Sequence, residues 1–99
     1  LGLLSTQPHG PYVTDSAAAA SAMSTGHKVE NGAVSITPDG KAQTTLMQAA
    51  KAAGKRIGLV TSATVYDATP AAFSINARSR RDSQPLVDQY ATLRPDVLM

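Results

Sequence analysis

The chain contains no cysteine and no tryptophan, and only two histidines. Disulfides and thiolate metal sites are therefore excluded. His9 and His27 lack the spacing of a paired-ligand helix and read as ordinary loop residues. Aromatic rings are scarce, with three tyrosines and one phenylalanine. A nucleic-acid surface interleaves basic charge with stacking rings, and a net charge of +2 with so few rings does not supply one. No apolar run approaches the ~20 residues of a membrane span. No segment has the pattern of a secretory leader, which in an internal piece says nothing of location.

Large apolar side chains are also few. Valine, isoleucine, leucine and phenylalanine together make up 19 of the 99 residues, near the lower edge of what a folded core needs. Alanine is abundant instead, which suits elements packed closely inside a larger body. A chain of this length buries a modest share of its surface. The first residues, from Leu1, read as ordered sequence, and Asp96-Val97-Leu98-Met99 reads as a buried strand cut short. The expectation is that residues 1–99 are an internal fragment of one larger domain.

Along the chain, Leu1 to Leu4 reads as the end of a strand and Ser5 to Pro11 as a loop. Ser16 to Thr25 is nearly all alanine, the best helix former. Thr14, Asp15 and Ser16 are three possible caps for it, and Gly26 is its stop. A short strand is expected within Val29 to Ile36, around Asn31-Gly32, then a turn at Thr37-Pro38-Asp39-Gly40. Thr44 to Ala53 reads as a second helix, with Leu46, Ala49, Ala50 and Ala53 on one face and Gly54 at its end. Ile57 to Thr61 has the composition of a buried parallel strand. Thr69-Pro70 reads as cap and first turn of a third helix. A fourth helix is expected from near Pro85 to about Leu93, before a strand over Asp96 to Met99. Helix, strand, helices and strand in this order indicate part of an α/β protein with a parallel sheet.

Three places could carry chemistry. In Val13-Thr14-Asp15-Ser16-Ala17-Ala18, a helix starting at Ser16 would put its hydroxyl at the positive helix end, where an anion such as phosphate is attracted. The same field would favour a serine alkoxide. Ser16 is equally a plain helix cap, the commoner role for such a segment. In Asp67-Ala68-Thr69-Pro70, a carboxylate and a hydroxyl follow a strand, where α/β proteins place their sites, and both suit magnesium. Thr69 as an N-cap is the plainer account. Arg78-Ser79-Arg80-Arg81 could grip phosphate through a guanidinium or be a solvated basic turn.

The order of these segments resembles one family. Thr14-Asp15-Ser16-Ala17-Ala18, followed by Ser24-Thr25-Gly26-His27-Lys28 and Asn31-Gly32-Ala33, is similar to the nucleophile segment of alkaline phosphatases. Asp67-Ala68-Thr69-Pro70-Ala71-Ala72 resembles the next stretch, and Ser79-Arg80 follows at the family's spacing. The resemblance runs from about Gly2 to Leu98. It implies an α/β fold of the alkaline phosphatase type, of which this chain would hold part of the sheet sandwich. It implies that Ser16 is the nucleophile that becomes phosphoserine and contributes to metal binding. Arg80 would grip the phosphate, and Asp15 would help orient that arginine. Thr69 would bind magnesium through its hydroxyl, and Asp67 would lie beside that ion.

The activity so implied is hydrolysis of phosphate monoesters with two zinc ions and one magnesium. The zinc-holding histidines and acids would lie outside these 99 residues. Inorganic phosphate is a product and ligand of such an enzyme. Family members are usually homodimers in the periplasm or outside the cell. Two rival readings are another member of the same metal-dependent superfamily, acting on sulfate esters or phosphodiesters, and a non-catalytic α/β module that binds anions at the Ser16 helix end.

Overall fold

The computed structural model describes residues 1–10 and 13–99. The last residue of the expected loop, Pro11, lies outside the described residues. The element order is α1 (Ser16–Thr25), α2 (Leu46–Ala52), β1 (Gly58–Leu59), α3 (Ala68–Ser74), α4 (Ser83–Leu93) and β2 (Val97–Leu98). β1 and β2 pair in parallel, Gly58 opposite Val97 and Leu59 opposite Leu98. Parallel neighbours require a long crossover, and here α3 and α4 form it.

The centre is built on alanine. Ala17 and Ala20 of α1 and Ala68, Ala71 and Ala72 of α3 are at most 1% exposed. Side chains this small let the two helices approach closely, so the packing tolerates little added volume. Val34, Ile75, Leu86 and Tyr90 complete the same cluster. The Tyr90 hydroxyl donates to the Val65 carbonyl at 2.6 Å and meets the Ser74 hydroxyl at 3.0 Å, which ties α4 to α3 and to the segment before it. Burial raises the Tyr90 pKa above its ordinary value, partly offset by the Ser74 hydrogen bond.

Each helix boundary has a local cause. The Asp15 side chain caps α1 by accepting from Ala18 N–H at 2.8 Å, and Gly26 ends it at φ 74°. Thr45 and Gln48 form a reciprocal capping box that starts α2. α3 opens one residue before Thr69: Asp67 holds the N-cap position and Thr69 lies inside the first turn. Proline at Pro70 is tolerated there because first-turn N–H groups lack intrahelical acceptors. α4 starts at Ser83, two residues ahead of Pro85.

Several expectations are corrected. Leu1 to Leu4 carries no regular element and is exposed. Val29 to Ile36 is not a strand: Asn31-Gly32 is a turn, with isolated bridges from Val34 to Ala77 and from Ile36 to Ala42. α2 buries Met47, whereas Leu46, placed on the inner face by its spacing, is 57% exposed. The parallel strand near Ile57 is present but only partly buried: Ile57 is buried and Leu59 half-buried against the core, whereas Val60 is 74% exposed. Val97 and Leu98 in β2 are exposed as well.

Candidate active site

Asp15 resolves the competition among the three candidate caps. Its Oδ1 takes the Ala18 N–H, so Ser16 is free of the capping role and stands as the first residue of α1. The Ser16 hydroxyl instead receives Arg80 Nη1 at 2.7 Å. Ser16 thus stands at the helix end that carries partial positive charge.

Arg80 reaches this place by two routes. Its backbone is fixed by pairing: Val34 and Ala77 exchange both hydrogen bonds at 2.9 Å, and Arg80 N–H donates to the Gly32 carbonyl at 2.7 Å. Its guanidinium is flanked by two carboxylates. Nη2 donates to Asp67 Oδ1 at 3.0 Å, and Nη1 lies 3.7 Å from Asp15 Oδ2. The side chains of Arg80, Asp15 and Asp67 are 31%, 29% and 45% exposed. Ion pairs this accessible contribute little to stability, ~0–1 kcal/mol. Their consequence is orientation: the planar fork is held facing Ser16.

Asp67 sits at the N-cap of α3 yet makes no side-chain cap; its carboxylate turns to Arg80 instead. Thr69 is exposed on the first turn of the same helix. These two supply carboxylate and hydroxyl oxygen, the donor type magnesium takes. Zinc is different. Among the described residues no group of three or more His, Cys, Asp or Glu could hold a metal ion. The described residues do not by themselves fit a zinc pair.

The other arginines lie apart. Arg78 is exposed and lines a small cavity with Glu30, Ile36 and Pro38, and Arg81 is exposed. A cavity between α2 and α4, lined by Gln48, Lys51, Gln89 and Leu93 among others, shares no residue with the Ser16 cluster. His9 and His27 line an open depression beside the Thr37–Lys41 turn.

The sequence reading missed the part played by Asn31 and Gly32. Asn31 Oδ1 accepts the Asp15 N–H at 3.0 Å, and Asn31 Nδ2 donates to the Val13 carbonyl at 2.9 Å. Gly32 N–H donates to Asp15 Oδ2 at 2.8 Å. Gly32 has φ 84°, a backbone conformation that glycine adopts without steric cost. The Asn-Gly dipeptide is itself a turn signal. Its contacts span 16 to 18 residues, which no local rule supplies.

With this geometry in place, known proteins give it a family. The family model "Alkaline phosphatase" matches residues 1–94. Alkaline phosphatase 3 of Bacillus subtilis (strain 168) is 42% identical over 92 residues, covering 91% of this chain and 20% of that protein. A cold-active alkaline phosphatase from the psychrophile Shewanella sp. superposes with a TM-score of 0.94 at 40% identity, over 99% of this chain and 25% of that one. A mutant of TAB5 alkaline phosphatase with Mg bound in its M3 site superposes with a TM-score of 0.91 at 30% identity, over 98% of this chain and 28% of that one. The chain belongs to the alkaline phosphatase family and is a small α/β portion of that fold. It spans about a fifth to a quarter of the length of these relatives.

Proposed function

We propose that the protein to which these residues belong hydrolyses phosphate monoesters through a phosphoserine on Ser16. The observation that carries this reading is the freed Ser16 hydroxyl at the start of α1, in contact with Arg80 at 2.7 Å.

A phosphate ester docked at this helix end meets backbone N–H groups and a guanidinium able to hold two non-bridging oxygens. The Ser16 oxygen attacks phosphorus in line, its proton passing to solvent. The ester P–O bond breaks, and the leaving alcohol takes a proton. Water then attacks the phosphoserine, releasing inorganic phosphate and restoring the hydroxyl. Arg80 neutralises charge and fixes the phosphoryl group, and Asp15 and Asp67 fix Arg80; positioning and electrostatics of this kind dominate phosphoryl transfer.

Thr69 would hold a magnesium ion through its hydroxyl, with Asp67 beside it. That ion, when bound, supplies positive charge next to the Arg80–Asp67 pair. Of the two zinc ions implied by the family resemblance, one would take the Ser16 oxygen from this chain, and the remaining ligands would come from elsewhere in the protein. Family likeness also supports a homodimer working in the periplasm or outside the cell.

The test is trapping. Full-length protein is incubated with labelled phosphate, quenched in acid and searched for labelled serine. Ser16→Ala should fold normally, because Asp15 keeps the cap and alanine is a good helix former, and should retain no label. Label on the Ser16→Ala protein would remove Ser16 from the reaction.

A further inference from the structure

We infer that Asn31 is a positioning residue for phosphate chemistry at Ser16, acting through Asp15 and the Gly32–Arg80 contact; the inference rests on the reading of Ser16 and Arg80 given above.

The carboxamide of Asn31 spans the backbone just before the nucleophile. It takes the N–H of Asp15 at 3.0 Å and gives a hydrogen bond to the carbonyl of Val13 at 2.9 Å. In extended chain the N–H of one residue and the carbonyl two residues earlier point the same way. One carboxamide, with an acceptor and a donor side by side, can therefore bind both, as a residue of a neighbouring strand does. Asp15 is extended, at φ −92° and ψ 175°, where the chain enters α1. The clamp sets the direction in which the chain enters α1, and so where Ser16 points.

The next residue links the other half of the site. Gly32 N–H holds Asp15 Oδ2 at 2.8 Å, while the Gly32 carbonyl accepts the Arg80 N–H at 2.7 Å. One two-residue turn thus binds the Ser16 segment through side chain and backbone, and the Arg80 segment through backbone. It sets the separation of the two groups that would share the phosphate. Asn31 is itself exposed, so its contribution to packing is small, and its two side-chain hydrogen bonds are its main consequence.

The experiment is a double-mutant cycle in the full-length protein, with p-nitrophenyl phosphate as substrate and inorganic phosphate as inhibitor. Asn31→Ala should lower kcat/KM by about tenfold and weaken phosphate inhibition, and this loss should shrink severalfold when introduced into Arg80→Ala, because groups that act as a unit are not additive. Asn31→Asp keeps the acceptor for Asp15 N–H and loses the donor to Val13, so it provides a second variant should Asn31→Ala fail to fold; it should also lose kcat/KM. A purely structural role would lower the melting temperature and leave kcat/KM per folded enzyme, and phosphate inhibition, unchanged; that result overturns the inference. So does an Asn31 loss of the same size with and without Arg80. If Arg80→Ala alone leaves kcat/KM unchanged, the reading of Arg80 fails, and the Asn31 inference falls with it.

Discussion

A guanidinium carries five N–H donors in one plane, and among the described residues only part of that fork at Arg80 is committed to side chains. Nη2 is held by Asp67 at 3.0 Å and Nη1 faces Ser16 at 2.7 Å. Neighbouring arginines lack this arrangement: Arg78 borders a different cavity, and Arg81 is exposed. Arg80→Ala should therefore weaken inhibition of the full-length enzyme by inorganic phosphate by roughly 10- to 100-fold, the worth of a charged hydrogen bond of about 1.5–3 kcal/mol. Arg78→Ala and Arg81→Ala should change it little. Equal losses at all three positions would mean a diffuse basic patch. The residue types at this site were legible in the sequence, but their division of labour was not. Thr14, Asp15 and Ser16 can each cap a helix, and spacing cannot say which one does. The geometry assigns the cap to Asp15 and leaves the Ser16 hydroxyl for Arg80.

Among the elements, the helices were legible because their causes are local. The alanine run with Gly26 marks α1, and Thr45 with Gln48 marks the start of α2. The inner face of α2 was misplaced because the spacing favoured Leu46, while Met47 is the residue that is buried. The expected strand at Val29 to Ile36 failed because its pairing is two isolated bridges, Val34 to the distant Ala77 and Ile36 to Ala42, and not a continuous ladder. The parallel pair was found, but its apparent burial reflected composition alone. At the start of that pair, Asp96 Oδ2 accepts the Ile57 N–H at 2.9 Å, and Asp96 N–H donates to the Ile57 carbonyl at 2.8 Å. The Ile57 hydrogen bond, helped by Lys51 and Arg56, holds the Asp96 carboxyl below the ordinary aspartate range. A depressed folded pKa means that its stabilisation is present above the unfolded value and is lost as pH falls through the folded one. The full-length protein should thus lose stability to urea between neutral pH and pH about 3, and Asp96→Asn should lose measurably less over that range. Identical acid sensitivity in the two proteins would show that Asp96 is not coupled to folding of the sheet.

For the whole molecule, what this chain leaves uncovered matters as much as what it buries. Val60 is 74% exposed, Met99 66% and Leu4 66%, and Val97 and Leu98 are also open. Two short strands form the sheet among the described residues, and both outer edges present unpaired backbone groups, which invite further pairing. Against this, the alanine-lined contact of α1 with α3 buries small side chains, each contributing little apolar area. We therefore expect the 99-residue chain, expressed alone, to associate or to fold only in part. It should bind no zinc tightly, because the described residues contain no cluster of three or more His, Cys, Asp or Glu able to hold a metal, and structural or catalytic zinc needs at least three protein ligands. Without such ions beside it, Ser16 should be inert even where Arg80 still meets it. The measurements are zinc titration and p-nitrophenyl phosphate turnover on the purified 99-residue chain, run beside the full-length enzyme, with sedimentation to record its association state. Turnover by the short chain that a chelator abolishes would mean that the metal ligands lie within these 99 residues, and a sharp monomeric species would mean that α1, α3 and α4 form a sufficient core without the missing neighbours of the sheet.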